Sequence, residues 1–142
     1  MNRNKYGAKK AKGFTTGRMY DSTAERDRAE ILNLLQVAGE ISDLKEQTVI
    51  ELMTGVKYRP DFDYEEKGRR VYEDVKGVMT ERFRIICQIW RHHGPGPLRI
   101  TKRDGRGGKF QVVKTVNPDY KVSEAEGPAT PERNANSTVT PE

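Results

Sequence analysis

The chain of 142 residues has one cysteine, one tryptophan and two histidines. Cys87 therefore has no partner for an internal disulfide, and no cysteine–histidine spacing of a zinc site exists. Long apolar runs are missing as well. No segment approaches the roughly 20 residues needed to cross a bilayer. The basic start MNRNKYGAKKAKG is not followed by the apolar stretch of a secretory signal. A cytoplasmic protein with no membrane partner is expected. The G-x-x-x-x-G-K-[ST] spacing of a phosphate-cradling loop is absent too. Apolar residues make up only 34% of the chain against 33% charged, so part of it is expected to stay outside any core.

The net charge is +5, but it is unevenly spread: residues 1–116 carry +8 and residues 117–142 carry −3. A basic body with an acidic tail points toward a polyanionic partner, most often nucleic acid. Three stretches are expected: a flexible basic arm over 1–20, a folded domain over 21–116, and a disordered acidic tail over 117–142. The arm holds Arg3, Lys5, Lys9, Lys10, Lys12 and Arg18 with no acid among them.

The periodicity predicts a helix over about 22–38, with Ser22 and Glu25 spaced as a capping box and Gly39 as the stop. A strand is expected near 45–52. A hairpin around Lys67-Gly68 follows, with Pro60 placing its first strand at an edge or starting it after the proline. A second helix is expected over 79–92, ended by Gly94-Pro95-Gly96-Pro97. Strands over 98–101 and 110–113 flank the turn DGRGG. The order predicts an α/β layout with a small mixed sheet.

If Lys67-Gly68 is a two-residue turn, Asp61 lies opposite Asp74, and Lys76 shares the face of Asp74. Directly opposed carboxylates destabilise a sheet. A divalent cation between them removes that cost, and carboxylate oxygens are the hard ligands Mg²⁺ prefers. A nearby lysine can orient a water or stabilise charge developing on a phosphate. A solvated hairpin with scattered charges is the alternative. Glu73 points to the opposite face, a structural or solvent-facing place. Asp63 shares the face of Asp61 and could assist a ligand or bind water.

Pro60-Asp61 followed by Asp74-Val75-Lys76 resembles the PD-(D/E)xK nuclease signature, two acids and a lysine on adjacent strands. Ser22-Thr23-Ala24-Glu25 resembles the helical acid that precedes it. Lys5-Tyr6-Gly7, Asp21-Ser22-Thr23-Ala24-Glu25, the stretch from Gly39-Glu40-Ile41 to Gln47, Arg59 to Tyr64 and Glu73-Asp74-Val75-Lys76-Gly77 together resemble a family of small phage-borne endonucleases. That family is similar to phage endonuclease I, a Holliday-junction resolvase. The resemblance covers about residues 5–101.

The resemblance implies a restriction-endonuclease-like core of helix, three-stranded meander, helix and strand. It implies Mg²⁺-dependent hydrolysis of DNA phosphodiesters, with Mn²⁺ as a substitute metal, on branched or structured DNA in phage replication or recombination. Asp61 and Asp74 would hold metal with the Val75 carbonyl. Lys76 would position or activate water. Glu25 would complete the site, with Glu30 as the fallback acid if Glu25 serves only as a cap. Paired cuts imply a C2 homodimer, and phage origin implies the host cell's cytoplasm.

DNA contacts are expected from Lys9, Lys10, Lys12 and Arg18 in the arm, and from the stripe Arg84, Gln88 and Arg91 on the second helix, which would border the cleft. Lys102, Arg103, Arg106 and Lys109 around the glycine-rich turn complete the set. For the helix stripe, a plain solvated face is the competing reading. His92-His93 reads as a helix C-terminus rather than a ligand pair, and Tyr58, Tyr64 and Tyr72 as sheet packing. Two other functions fit the same residues: a non-catalytic DNA-binding or recombination-accessory protein, or a phage inhibitor of a host nucleic-acid enzyme.

Overall fold

The computed structural model describes residues 8–105 and 108–119. The strands are β1 (Ala11–Lys12), β2 (Met19–Tyr20), β3 (Ser42–Glu46), β4 (Ile50–Met53), β5 (Val56–Tyr58), β6 (Phe62–Glu66), β7 (Arg69–Val75), β8 (Leu98–Asp104) and β9 (Lys109–Val116). The helices are α1 (Thr23–Val37) and α2 (Glu81–His93). The main sheet runs β3-β6-β7-β8-β9. All its neighbours are antiparallel except β7 and β8, which are parallel and joined through α2. The fold is thus mixed α/β with a mostly antiparallel sheet.

Both helices begin and end where local chemistry directs. Ser22 caps α1, its hydroxyl accepting from the Glu25 N–H at 3.1 Å. At the other end Gly39 takes φ 81°. The Glu40 N–H then reaches the Leu35 carbonyl at 2.9 Å and the Gly39 N–H reaches that of Gln36 at 3.0 Å, the two bonds of a Schellman closure. Thr80 caps α2 by accepting from the Phe83 N–H at 3.1 Å.

Successive β7 residues serve opposite faces. Val71 and Val75 pack with Phe62, Tyr64, Ala29 and Leu32 beneath α1. Tyr72 packs with Leu98, Ile100, Phe83, Cys87 and Trp90 beneath α2. The helices therefore cover opposite faces of the sheet.

The β6–β7 hairpin has the two-residue turn, with Lys67 at φ 52° and Gly68 at φ 76° as a primed turn requires. Phe62 pairs with Glu73 and Glu66 with Arg69, the register that sets Asp61 against Asp74.

Two expectations change. The single strand near 45–52 is two strands in different sheets. β3 joins the main sheet with a bulge between Ser42 and Lys45, while β4 pairs with β5 around Thr54-Gly55. Left-handed Gln47 (φ 58°) turns the chain between them. β5 ends at Tyr58, and after Pro60 the chain starts β6 at Phe62.

The basic arm is also partly folded. β1 and β2 pair, Ala11 and Tyr20 are buried, and Glu30 on α1 accepts from the Phe14 and Thr15 N–H groups at 2.7 and 3.0 Å. A carboxylate gathering backbone donors supplies what the arm's own few apolar side chains could not. The acidic tail beyond 119, the Tyr6-Gly7 motif and Arg106 lie outside the described residues.

Candidate active site

Pro60 and the start of β6 bring Asp61 to the end of β7. The Asp61 N–H donates to Asp74 Oδ1 at 3.1 Å, and the Val75 N–H donates to Asp61 Oδ2 at 2.8 Å. The two carboxyls thus converge across the hairpin. Asp74 is 1% exposed. Burial, followed by the charge of Asp74, holds Asp61 well above the ordinary carboxylate range. Asp74 is raised by burial, which Lys76 and the hydrogen bonds it accepts oppose. Two such groups titrate as a pair and favour a shared proton in the absence of a cation.

Lys76 follows two residues after Asp74 on the same face. Its backbone N–H donates to the Thr101 carbonyl at 2.9 Å, and its Nζ lies 4.5 Å from the centre of the Phe83 ring. Its ammonium acts on Asp61, Asp74 and Glu25 alike.

Glu25 reaches the group from the first turn of α1. Burial raises its carboxyl to about 7, with Asp21 and Asp74 adding to the shift and Lys76 opposing it. Its N–H donates to the Ser22 hydroxyl while its side chain lines a cleft.

That cleft, of about 840 Å³, opens between the N-terminal turns of α1 and α2. Ser22, Glu25, Lys76, Thr80, Arg82 and Arg103 line it, with Lys9 at its edge. Asp61 and Asp74 are not among its lining residues, but Val75 and Lys76, which follow Asp74 in the chain, are. Two helix N-termini, Lys9, Lys76 and Arg82, with Arg103 held to Asp27, face the one lining carboxylate Glu25, a balance suited to phosphate.

Among the described residues, no group of three or more His, Cys, Asp or Glu side chains is placed to hold a metal ion. The donor set that remains is the pair Asp61 and Asp74, with the Val75 carbonyl beside them. It fits Mg²⁺, which is commonly held by one or two carboxylates and keeps several waters. Each carboxylate oxygen accepts one hydrogen bond here and retains a further lone pair.

Tyr58 and Gln47 belong to the site although the sequence did not mark them. The Tyr58 hydroxyl donates to Asp74 Oδ2, and its ring packs against Phe83 and Trp90. Burial, then the neighbouring Asp74, pushes its phenol upward. The Gln47 N–H donates to the Asp61 carbonyl at 3.1 Å. Arg82, on the cleft wall, was missed too. Tyr58 stands three residues before Asp61, a spacing that carries no signal without the β4–β5 hairpin.

Several expected positions move. Glu30 is committed to the arm through Phe14 and Thr15, so it is no substitute for Glu25. Glu73 takes the structural of its two expected places. It is 0% exposed and accepts from Arg28, Tyr64 and Thr101 beneath α1. Asp63 is buried and bound by Arg70. The Arg84, Gln88, Arg91 stripe does not border the cleft: Gln88 and Arg91 line a separate groove, and Arg84 pairs with Glu81 at 3.3 Å. A helix whose N-terminus faces the cleft turns its later residues away from it.

Arg18 pairs with Glu46 at 3.0 Å, and Arg103, at the cleft, holds Asp27 at 2.7 Å and Thr23 at 3.2 Å. Lys10, Lys12, Lys102 and Lys109 are exposed. Among the described residues no helix is long and apolar enough to cross a membrane.

No curated protein matches the chain. One family profile does, described as "Protein of unknown function (DUF1064)", and it matches residues 3–103, a span that contains Glu25, Asp61, Asp74 and Lys76 together with both helices, so the chain belongs to that family.

Proposed function

We propose that the protein is a metal-dependent DNA endonuclease of the PD-(D/E)xK kind, acting on branched or structured DNA as a homodimer. The observation that carries this is the buried convergence of Asp61 and Asp74, with Lys76, which follows them in the chain, lining a cleft together with Glu25, Arg82 and Arg103. Asp61, Asp74 and the Val75 carbonyl would hold Mg²⁺ or Mn²⁺, and Glu25 would stand at the cleft side. The ion, when bound, supplies charge stabilisation at the phosphate and a more acidic water.

The chain's own residues set the geometry. The helix N-termini and Lys9, Arg82 and Arg103 seat the DNA backbone. Lys76 orients the attacking water or stabilises charge on the phosphate. Tyr58 and the Val75 and Asp61 N–H groups fix the carboxylates in place.

One observation favours a second reading. All four oxygens of the acid pair already have protein partners, with Gln47 the longest at 3.5 Å. A non-catalytic DNA-binding protein on this scaffold would use the acids structurally.

Cleavage assays separate the two. Wild type, Asp74→Asn and Lys76→Ala are incubated with four-way junction, flap, duplex and single-stranded DNA, in Mg²⁺, Mn²⁺ or chelator. Cutting that needs metal and is lost in both variants supports the enzyme. DNA binding without cutting, retained in both variants and falling steeply with salt, supports the alternative. Cutting that survives Asp74→Asn refutes the site.

A further inference from the structure

The last described residues lie beside a groove on the α2 side. β9 ends at Val116, and the Asp119 N–H then donates to the Arg91 carbonyl at 2.7 Å. Arg91, His92 and His93 form the last turn of α2. With Gln88, Ile89 and Met53 they line a groove of about 450 Å³. Arg91 gives it a cation, and Met53 from the β4–β5 hairpin, 45% exposed, an apolar side chain.

The segment that follows has the complementary chemistry. Residues 120–142 hold four glutamates against Lys121 and Arg133, and residues 120–126 read Tyr-Lys-Val-Ser-Glu-Ala-Glu. We propose that this groove is the docking site of the chain's own residues 120–126, with Glu124 and Glu126 on Arg91 and the histidine pair, and Val122 against Met53 and Ile89.

Reach favours it. Seven extended residues span up to about 23 Å, and they start beside Arg91. The tether makes the encounter intramolecular, at an effective concentration in the millimolar range. The carbonyl end of α2 disfavours an anion, so Arg91 is the side chain on which the contact depends. This proposal does not rest on the nuclease reading.

Hydrogen exchange on the full chain, read by mass spectrometry over peptides covering 120–127, tests it. At low salt, exchange is expected to run about tenfold or more below the intrinsic rate. The protection should disappear in Arg91→Glu and return when Arg91→Glu is combined with Glu124→Lys and Glu126→Lys, as a paired contact requires. Exchange at the intrinsic rate would overturn the proposal, as would protection that survives Arg91→Glu. Protection that grows with protein concentration would also overturn it, assigning the groove to a second copy. Arg91 is exposed, and recovery in the combined variant shows that the fold is intact.

Discussion

Arg28→Ala is expected to destabilise the fold by about 3–5 kcal/mol, the cost of breaking a buried ion pair by removing one partner. Glu73 accepts four hydrogen bonds, two of them from Arg28 at 2.5 and 3.2 Å, the others from Tyr64 at 2.6 Å and Thr101 at 3.0 Å. Arg28 brings the positive charge; without it, a carboxylate with no solvent exposure keeps only neutral donors. Glu73→Gln should cost less, about 1–3 kcal/mol, because the Arg28 side chain is 14% exposed and its guanidinium can turn toward water. Replacing both by methionine should cost less than Arg28→Ala alone.

The assay is urea unfolding at pH 7, followed by the single, fully buried Trp90. A loss below about 1 kcal/mol in Arg28→Ala would refute the reasoning, as would a double-methionine variant that costs more than Arg28→Ala. Because Arg28 lies one turn after Glu25, and Glu73 adjoins Asp74, this pair also pins the helix that carries the cleft acid to the strand that carries the buried one.

Three further outcomes are expected. Glu25, Asp61 and Asp74 hold their protons to higher pH in the folded chain than when unfolded, Glu25 to about 7. The folded state therefore binds more protons at these groups, and what they contribute to metal-free stability should fall as pH rises from about 4 to about 7. Melting temperatures across that range check this, with Asp74→Asn flattening the slope and Mg²⁺ raising Tm more at pH 7.5 than at pH 5. Tyr58→Phe removes a donor from buried Asp74 and should cost about 1.5–3 kcal/mol in urea unfolding; an unchanged midpoint would show that the contact adds nothing. Gly39→Ala meets no atom within 4 Å but forces a left-handed backbone on alanine, so a loss of about 1–2 kcal/mol is expected, and an unchanged Tm would refute it.

Local chemistry was legible in the sequence, and long-range partnership was not. Ser22, Gly39, Gly94-Pro95-Gly96-Pro97 and the Lys67-Gly68 turn each act within a few residues, so the ends of α1, the stop of α2 and the hairpin register could be read directly. The encounter of Asp61 with Asp74 followed from that register alone. The split of 45–52 into β3 and β4 was hidden because left-handed Gln47 is no glycine, and the β-branched run Thr48-Val49-Ile50 that follows it carries no break signal. Tyr58 is brought to Asp74 by a second hairpin packing on α2, which no periodicity encodes. Glu73 was left between a structural and a solvent-facing place because its counter-ion comes from Arg28, 45 residues away in sequence. Arg18, Arg84 and Arg103 drew notice as free cations, yet each faces an acid that only the fold supplies.

The alternation of β7 has a consequence for how the gene can change. Two neighbouring carboxylates are buried on this strand, and only the pleat sorts them: Glu73 to the guanidinium beneath α1, Asp74 to the other acid. Substitutions in the Lys67-Gly68 turn leave that sorting intact. A single-residue insertion there that slipped β7 by one position would exchange the two faces. It would bring the longer acid against Asp61 and leave Arg28 without its partner. Descendants of this gene should therefore vary the letters of that turn far more freely than its length.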